Sequence, residues 1–135
     1  MTTCHVEIVS GALPRLAASD VFEAEAVREA GALICFEGVV RPMENGRPLA
    51  ALAYEAYEPM THRQLTELAQ RILREHALLG IFVQHSRGRV EVGQVSFRLV
   101  IAAPHRQEGF AAQVSFIDDL KRVVPIWKTP VWLPA

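Results

Sequence analysis

The chain has 135 residues, half of them apolar, and a formal net charge of −1 at pH 7. This length and apolar content are typical of one folded domain, which we expect over residues 1–135, and they argue against a disordered chain. The near-zero charge argues against bulk binding to nucleic acid. The absence of a leader pattern or a long apolar stretch favours a cytoplasmic protein without a membrane span.

The N-terminal third is predicted to contain two strands with a helix between them. In chain order the elements are a strand at 6–9, a loop at 11–18, a helix from 20 to about 30 and a strand at 32–40. Asp20 and Glu23 form a possible capping box for this helix, which places Phe22, Ala26 and Ala30 on one face. Gly31 is expected to close it.

The segment at 41–48 is polar and is followed by an alternating strand at 49–57. Its Asn45-Gly46 pair is a strong hairpin signal, although Pro42 and Pro48 favour a longer, mobile loop. We expect antiparallel pairing between the strands on either side of it.

The middle of the chain is predicted to form a helix, a turn and two strands. They are a helix from Pro59 or Met60 to about His76, a strand at 81–85, a turn at 86–88 and a strand at 94–103. Helical spacing of Leu65, Leu68 and Ile72 supports the helix. Alternation in the last strand predicts that Ser96 and Arg98 face outward.

A third helix is predicted from Arg106 to Val123, followed by an extended tail from 126 to 133. Its buried stripe is expected to consist of Phe110, Val114, Ile117 and Leu120. Strands and helices do not alternate strictly, so we predict an α+β fold with an antiparallel sheet and about three helices.

Lysine is used in an unusual way in this sequence. Twelve of the fourteen basic residues are arginine, and the only lysines, Lys121 and Lys128, lie seven positions apart. A lysine amine can lose its proton near other cations and then act as a base or nucleophile, whereas guanidinium effectively cannot. Coding bias and simple helix capping by Lys121 are the alternative explanations.

Two further places could bind an anion. His105 and Arg106 begin a helix directly after an apolar strand, where free N–H groups and the helix dipole favour a phosphate or carboxylate. Arg41 precedes a Gly- and Pro-containing loop and could bind a phosphate bidentately. An ordinary helix start and a solvated arginine are the alternatives. Cys4 and Cys35 form neither a metal nor a disulfide pattern, so no metal site is expected from them.

Four segments together resemble the large, catalytic subunit of molybdopterin synthase. They are Phe36–Arg41, Tyr54–Met60 with its run Tyr-Glu-Ala-Tyr-Glu-Pro-Met, Pro104–Arg106, and Asp119–Lys128, which ends in Pro-Ile-Trp-Lys. Their order and spacing fit the family over nearly the whole chain.

The resemblance implies a fold of the α/β-hammerhead type and a homodimer. Each large subunit would bind a small ubiquitin-like subunit, giving a heterotetramer. The small subunit's C-terminal Gly-Gly tail carries a thiocarboxylate, and its sulfur is transferred in two rounds to cyclic pyranopterin monophosphate. The product is the molybdopterin dithiolene, and no metal is needed at this step.

The resemblance also assigns roles to residues of this chain. Lys121 and Lys128 would be the catalytic lysines, and both would also bind substrate. The remaining substrate-binding residues would be Val39, Val40, Arg41, His105, Arg106, Thr129 and Pro130, of which His105 and Arg106 would be supplied partly by the neighbouring subunit.

Two departures from the family pattern keep other functions open. His85-Ser86-Arg87-Gly88 replaces the usual His-Arg pair, and the segment after Lys128 is short and altered. The first alternative is a non-catalytic paralogue that holds a ubiquitin-like tail. The second is an enzyme acting on another phosphorylated small molecule.

Overall fold

The computed structural model describes residues 2–134, so Met1 and Ala135 of the predicted domain lie outside the described residues. The strands are β1 (Thr3–Ser10), β2 (Ala32–Val39), β3 (Met43–Glu44), β4 (Arg47–Ala56), β5 (Gly80–Glu91), β6 (Val95–Ala103) and β7 (Ile126–Trp132). The helices are α1 (Ala24–Glu29), α2 (Met60–Glu75) and α3 (Arg106–Val123), with one 3₁₀ turn at Ala18–Asp20. The predicted α+β class is confirmed.

The strands form two connected sheets that share β5. In the first sheet β6 lies between β2 and β5, and all three are antiparallel, while β1 adds to β5 in parallel. In the second sheet the end of β5 pairs with β4, which pairs on its other edge with β7. The chain therefore brings β7, its last strand, beside β4 rather than beside its sequence neighbour β6.

The predicted turn at 86–88 is wrong, because β5 continues through it. Residues Gly80–Arg87 pair with β1, and Gly88–Glu91 pair with β4. Gly88 has φ +81°, a conformation that L side chains rarely adopt. The Ser-Arg-Gly sequence marks the point where one strand passes from the first sheet to the second.

The Asn45-Gly46 signal is confirmed as a tight hairpin. Both residues have positive φ, 51° and 77°, and they join β3 to β4. The expected pairing between the strands at 32–40 and 49–57 is wrong, however, because β2 pairs with β6. The local turn closes only the two-residue strand β3, so it carries no information about the partner of β2.

The helix predicted from Asp20 is shorter and is capped differently. Asp20 lies in the 3₁₀ turn, α1 starts after Glu23, and no side chain caps either element. Gly31 does not close the helix in a left-handed conformation. It is needed because a Cβ there would lie 2.1 Å from the carbonyl oxygen of Pro104.

The first sheet has a protein layer on each face. Helices α2 and α3 cover one face with buried residues that include Leu65, Ile72 and Phe116. The other face is covered in part by the segment at 18–30, whose Phe22 is 6 % exposed. Among residues 2–134, no helix combines the length and the apolar content needed to span a membrane.

Two predicted faces differ from the structure: β6 is buried on both faces, and only Ile117 and Leu120 of the predicted α3 stripe pack against the core. Ser96 and Arg98 are 5 % and 1 % exposed, because the outer face of β6 is covered by other parts of the chain. Phe110 and Val114 are 54 % and 59 % exposed, because α3 packs through Gly109, Ala112 and Phe116 instead. Close contact at Gly109, where a Cβ would lie 2.5 Å from Ile34, sets this orientation of the helix.

Candidate functional site

A cavity of about 640 Å³ lies where the end of α3 and β7 meet β2, β4 and β5. Three cations line it, Arg41, Lys121 and Lys128. The rest of the lining is mostly apolar or aromatic and consists of Phe36, Gly38, Val39, Leu52, Tyr54, Phe97, Ile117, Leu120, Val124 and Ile126, with the polar residues Glu37, Glu44, His85 and Ser96. The cavity thus combines a cationic part with an aromatic part.

The two lysines reach the cavity from different elements. Lys121 lies in the last turn of α3, which ends as the backbone becomes extended at Val124 before Pro125. Lys128 lies on β7, opposite Tyr54 of β4. Within residues 2–134, neither lysine has a carboxylate at ion-pair distance. Both ammonium groups are therefore available to a ligand.

Arg41 is placed at the cavity by the residue before it. Val40 is 2 % exposed, donates its N–H to the Gln94 carbonyl at 3.0 Å and accepts the Gly93 N–H at 2.9 Å. These contacts fix the backbone where β2 ends, and the exposed Arg41 follows immediately. Val39 lines the cavity, whereas Val40 is buried in a separate cluster beneath β4.

His105 and Arg106 are not part of this cavity within one chain. They lie at the start of α3, and Lys121 lies fifteen positions after Arg106, which corresponds to about 22 Å along the helix. The Glu108 carboxylate accepts the backbone N–H of His105 at 2.9 Å, which caps the helix, while the side chain of His105 is 76 % exposed. A single chain therefore brings together only part of the predicted site.

Thr129 and Pro130 follow Lys128 along β7 and pair with Ala53 and Leu52. Neither lines the cavity. Their position next to Lys128 means that they fix the strand that carries it.

The sequence prediction did not assign His85, Tyr54 or Ser96 to the site. Tyr54 donates its hydroxyl hydrogen to Ser96 Oγ at 3.0 Å, and burial raises the pKa of Tyr54. The His85 ring packs against the Tyr54 ring edge-on, with centroids 5.3 Å apart. His85 lies two and four residues after the buried Val83 and Ile81, and this alternation is the signal that could have identified it as inward-facing.

A larger cavity of about 800 Å³ lies elsewhere, lined by residues 12–17, Glu37, Gly93 to Val95 and Arg98. Its buried cation, Arg98, is already paired: Nε and Nη2 each lie 2.7 Å from Glu37 Oε2, and Nη1 lies 2.7 Å from Gln84 Oε1. We therefore place the candidate site in the smaller cavity, because three cations without an ion-pair partner among residues 2–134 line it, both lysines included, whereas Arg15 alone has this character in the larger one.

The candidate site is suited to anions and to reactions that develop negative charge. Ammonium and guanidinium groups aimed at an oxyanion stabilise it strongly where water is partly excluded. Among residues 2–134, no group of His, Cys, Asp and Glu side chains is placed to hold a metal ion. Burial raises the pKa of both the Cys4 and Cys35 thiols, which does not favour a thiolate.

Comparison with known proteins gives a consistent result. Residues 14–123 match the model of a family described as MoaE protein. A molybdopterin synthase catalytic subunit of a Nostoc species is 41% identical over 103 residues, which cover 76% of this chain and 62% of that protein. The chain thus spans less than two thirds of this longer relative.

Two solved structures have a similar fold. The molybdopterin synthase structure from Staphylococcus aureus has a TM-score of 0.75 and 26% sequence identity, covering 96% of this chain and 92% of that one. A Helicobacter pylori structure described as a complex of subunits 1 and 2 of molybdopterin-converting factor has a TM-score of 0.76 and 25% identity. It covers 94% of this chain and 88% of the matched chain.

Proposed function

The chain belongs to the MoaE protein family, and from this premise we propose that it is the catalytic subunit of a molybdopterin synthase. In this role it transfers sulfur from the thiocarboxylate of a small ubiquitin-like subunit to cyclic pyranopterin monophosphate. The observation that carries the proposal is the cavity lined by Arg41, Lys121 and Lys128. Both lysines of the chain, one in the last turn of α3 and the other on β7, line it.

The chemistry of the cavity suits both reactants. The substrate carries a cyclic phosphate, which the guanidinium of Arg41 can bind through paired hydrogen bonds. The thiocarboxylate is also an anion. Once its sulfur has bonded to a carbon of the substrate, the resulting thioester is hydrolysed: water adds to the acyl carbon to give a tetrahedral oxyanion, the small subunit leaves as a carboxylate, and the sulfur stays on the substrate. The ammonium groups of Lys121 and Lys128 are placed to stabilise that charge, and a lysine can also move protons during the ring-opening steps.

We propose that the C-terminal Gly-Gly tail of the small subunit enters this cavity and ends between the two lysines. One exposed apolar side chain supports a docking surface beside the entrance: Val39, which lines the cavity and is 51 % exposed. The Helicobacter pylori structure, described as a complex of two subunits, makes such a partner reasonable for a related chain.

We also propose that the active form is a homodimer, which becomes a heterotetramer with two small subunits. Arg106, Phe110 and Val114 repeat every four residues and so share one face of α3, where both apolar side chains are more than half exposed. A second copy that covers this face would bring its His105 and Arg106 toward a substrate.

Three expectations from the sequence stay predictions. They are substrate contacts by Thr129 and Pro130, a single domain over residues 1–135 and a cytoplasmic location.

The proposal is tested by sulfur transfer with thiocarboxylated small subunit and cyclic pyranopterin monophosphate. We expect Lys121→Ala and Lys128→Ala each to lose about 100-fold or more in rate, the cost typical of removing one oxyanion-stabilising group. Arg122→Ala is the matched control, because Arg122 is adjacent to Lys121 but pairs with Asp119. It should keep the wild-type rate.

Three results would contradict the proposal. Wild-type rates in both lysine variants would remove the catalytic assignment. Tight binding of the small subunit without turnover by the wild-type protein would favour the non-catalytic paralogue. Failure of the wild-type protein to bind cyclic pyranopterin monophosphate would favour an enzyme for another phosphorylated molecule.

A further inference from the structure

His85 is a buried imidazole at the candidate site that the charges of the site leave unexplained. It lies on β5, is 7 % exposed and lines the same cavity as Lys121 and Lys128. Its ring is held between Tyr54, at a centroid distance of 5.3 Å, and Phe97, at 5.8 Å. Such packing leaves the ring little freedom to turn.

The hydrogen bonding of His85 determines which nitrogen carries the proton. Nδ1 lies 2.8 Å from the Ser86 carbonyl oxygen, and a carbonyl can only accept, so Nδ1 is the donor. In the neutral ring Nε2 then holds the lone pair. Within residues 2–134, the fully buried side-chain atoms without a partner are Thr66 Oγ1 and Ser86 Oγ. His85 Nε2, which has no partner either, is therefore open to the cavity.

The surroundings of the ring keep it neutral. Burial lowers the pKa of His85, and only the Ser86 carbonyl opposes this shift. The other ionisable groups that line the cavity are Glu37, Arg41, Glu44, Tyr54, Lys121 and Lys128. Glu37 is paired with Arg98, and the three cations outnumber the remaining carboxylate, Glu44, so the cavity disfavours an additional positive charge on the ring.

We propose that His85 Nε2 accepts a hydrogen bond from an N–H group of the heterocyclic substrate and thereby sets its orientation in the cavity. This inference rests on the proposed function, because it takes the substrate to be a pterin. The pterin end of cyclic pyranopterin monophosphate carries ring N–H and amino donors, and the cyclic phosphate lies at the opposite end of the molecule. Its donors would face His85 and the aromatic side chains while its phosphate faces the cations.

A neutral acceptor gives a kind of selection that the lysines and arginine cannot provide. The cations recognise any phosphate, whereas a buried lone pair rejects a ligand without a donor at that place, because the acceptor would lose its hydrogen bond to water. His85 is therefore a specificity residue, and phosphate binding by Arg41 is a separate contribution.

The inference is tested by calorimetric titration of the dimeric protein with cyclic pyranopterin monophosphate. His85→Phe keeps a ring of similar size and removes the acceptor, and we expect it to weaken binding about tenfold to 100-fold. His85→Gln restores an acceptor and should bind at least threefold more tightly than His85→Phe. His76→Gln, at the end of α2 and outside the cavity, is the control and should bind like wild type.

A second titration separates this role from a merely structural one. Inorganic phosphate lacks the pterin and its N–H donors, and we expect the cations to hold it away from His85, so its affinity should be equal in wild type and His85→Phe. Equal losses for phosphate and pterin, or wild-type pterin affinity in His85→Phe, would overturn the inference.

If His85→Phe does not fold, nitrogen-15 NMR of the wild-type imidazole decides the question. We expect the Nδ1–H tautomer in the free protein and a shift of the Nε2 resonance when the pterin is added. An Nε2–H tautomer, or no change on binding, would contradict the inference. Sulfur transfer by the wild-type protein in the same preparation shows whether the proposed function itself still holds.

Discussion

Two groups of cations in this protein have opposite surroundings. Arg98 is buried at the centre of the first sheet, where its neighbours in register are Glu37 on β2 and Gln84 on β5, and Gln84 in turn donates to Glu7 on β1. Arg41, Lys121 and Lys128 lie around an open cavity, and none of them has an ion-pair partner among residues 2–134.

The difference separates structural charges from charges available to a ligand. A guanidinium that is 2 % exposed must be paired, because desolvation of an unpaired charge costs several kcal/mol. Cations at an open cavity remain hydrated, so they can stay unpaired until an anion replaces the water. Mutation of a paired cation should consequently change the stability of the protein, whereas mutation of an unpaired cation should change the affinity for a ligand.

The largest expected effect is on stability, at the buried pair. Glu37→Ala leaves the Arg98 guanidinium buried without its counter-charge, and we expect a loss of about 3–5 kcal/mol in the free energy of unfolding. Arg98→Met should cost clearly less, because the Glu37 carboxylate is 39 % exposed and can turn toward water. Urea denaturation of both variants measures the difference.

The double variant, Glu37→Ala with Arg98→Met, sharpens this prediction. It should be more stable than Glu37→Ala alone, since the unpaired charge has been removed together with its partner. If Glu37→Ala lowers the free energy of unfolding no more than Arg98→Met does, then Arg98 reaches water in solution. In that case the two groups of cations do not differ in their need for a partner.

The next effect is on binding and concerns an unpaired cation. Arg41→Ala should weaken binding of cyclic pyranopterin monophosphate by about 1.5–3 kcal/mol, which is the contribution of hydrogen bonds to a charged group. The melting temperature should not change, because Arg41 has no partner to lose. Calorimetric titration and thermal denaturation measure the two quantities.

Arg47→Ala is the matched control for Arg41, since Arg47 lies across the same hairpin and packs 4.2 Å above the Trp132 ring. It should bind the substrate as wild type does. A lower melting temperature in Arg41→Ala, with unchanged affinity, would place Arg41 among the structural charges.

The sequence predicted those parts of the fold that depend on local signals. The helix at 106–123 was predicted with its observed bounds, and α2 within one residue at each end, because helical spacing and Pro59 and Pro125 mark them. The Asn45-Gly46 hairpin followed from the same kind of signal. Resemblance to a family and the rarity of lysine directed attention to Lys121 and Lys128, which do meet at one cavity.

What the sequence did not predict depends on distant parts of the chain. Arg98 looks outward by strand alternation, and it is buried only because Glu37, Gln84 and the segment at 12–17 surround it. His85 is the last residue of the predicted strand at 81–85, and its alternation with the buried Ile81 and Val83 places it inward, but its closeness to the lysines depends on how β5 packs against distant elements. His105 and Arg106 lie at the opposite end of α3 from Lys121. Their spacing in the sequence does not show whether they share a binding site with Lys121.

The smallest expected effect is at a paired carboxylate next to the site. Asp119 lies two residues before Lys121 and accepts hydrogen bonds from Arg122 on its own helix and from Arg71 on α2, the latter at 2.6 Å. These two guanidinium groups, Arg71 most strongly, lower the pKa of Asp119 below its usual 3.8. Asp119 therefore belongs with the structural charges although it lies only two residues from Lys121, which lines the candidate site.

Asp119→Asn should lower the melting temperature slightly at pH 7 and leave the rate of sulfur transfer unchanged. The folded state holds the Asp119 proton less tightly than the unfolded chain does. The contribution of Asp119 to the free energy of unfolding is therefore fully present at pH values above the usual pKa of aspartate, and it is lost as the pH falls through the lowered pKa of the folded state. The melting temperatures of wild type and variant should consequently converge between about pH 4 and pH 2.

A difference in melting temperature that stays constant from pH 7 to pH 2 would mean that the carboxylate charge does not join α2 to α3. A loss of sulfur transfer at normal stability would instead mean that the pairing of Asp119 positions Lys121, and the boundary between structural and ligand-binding charges would then lie inside the last turn of α3.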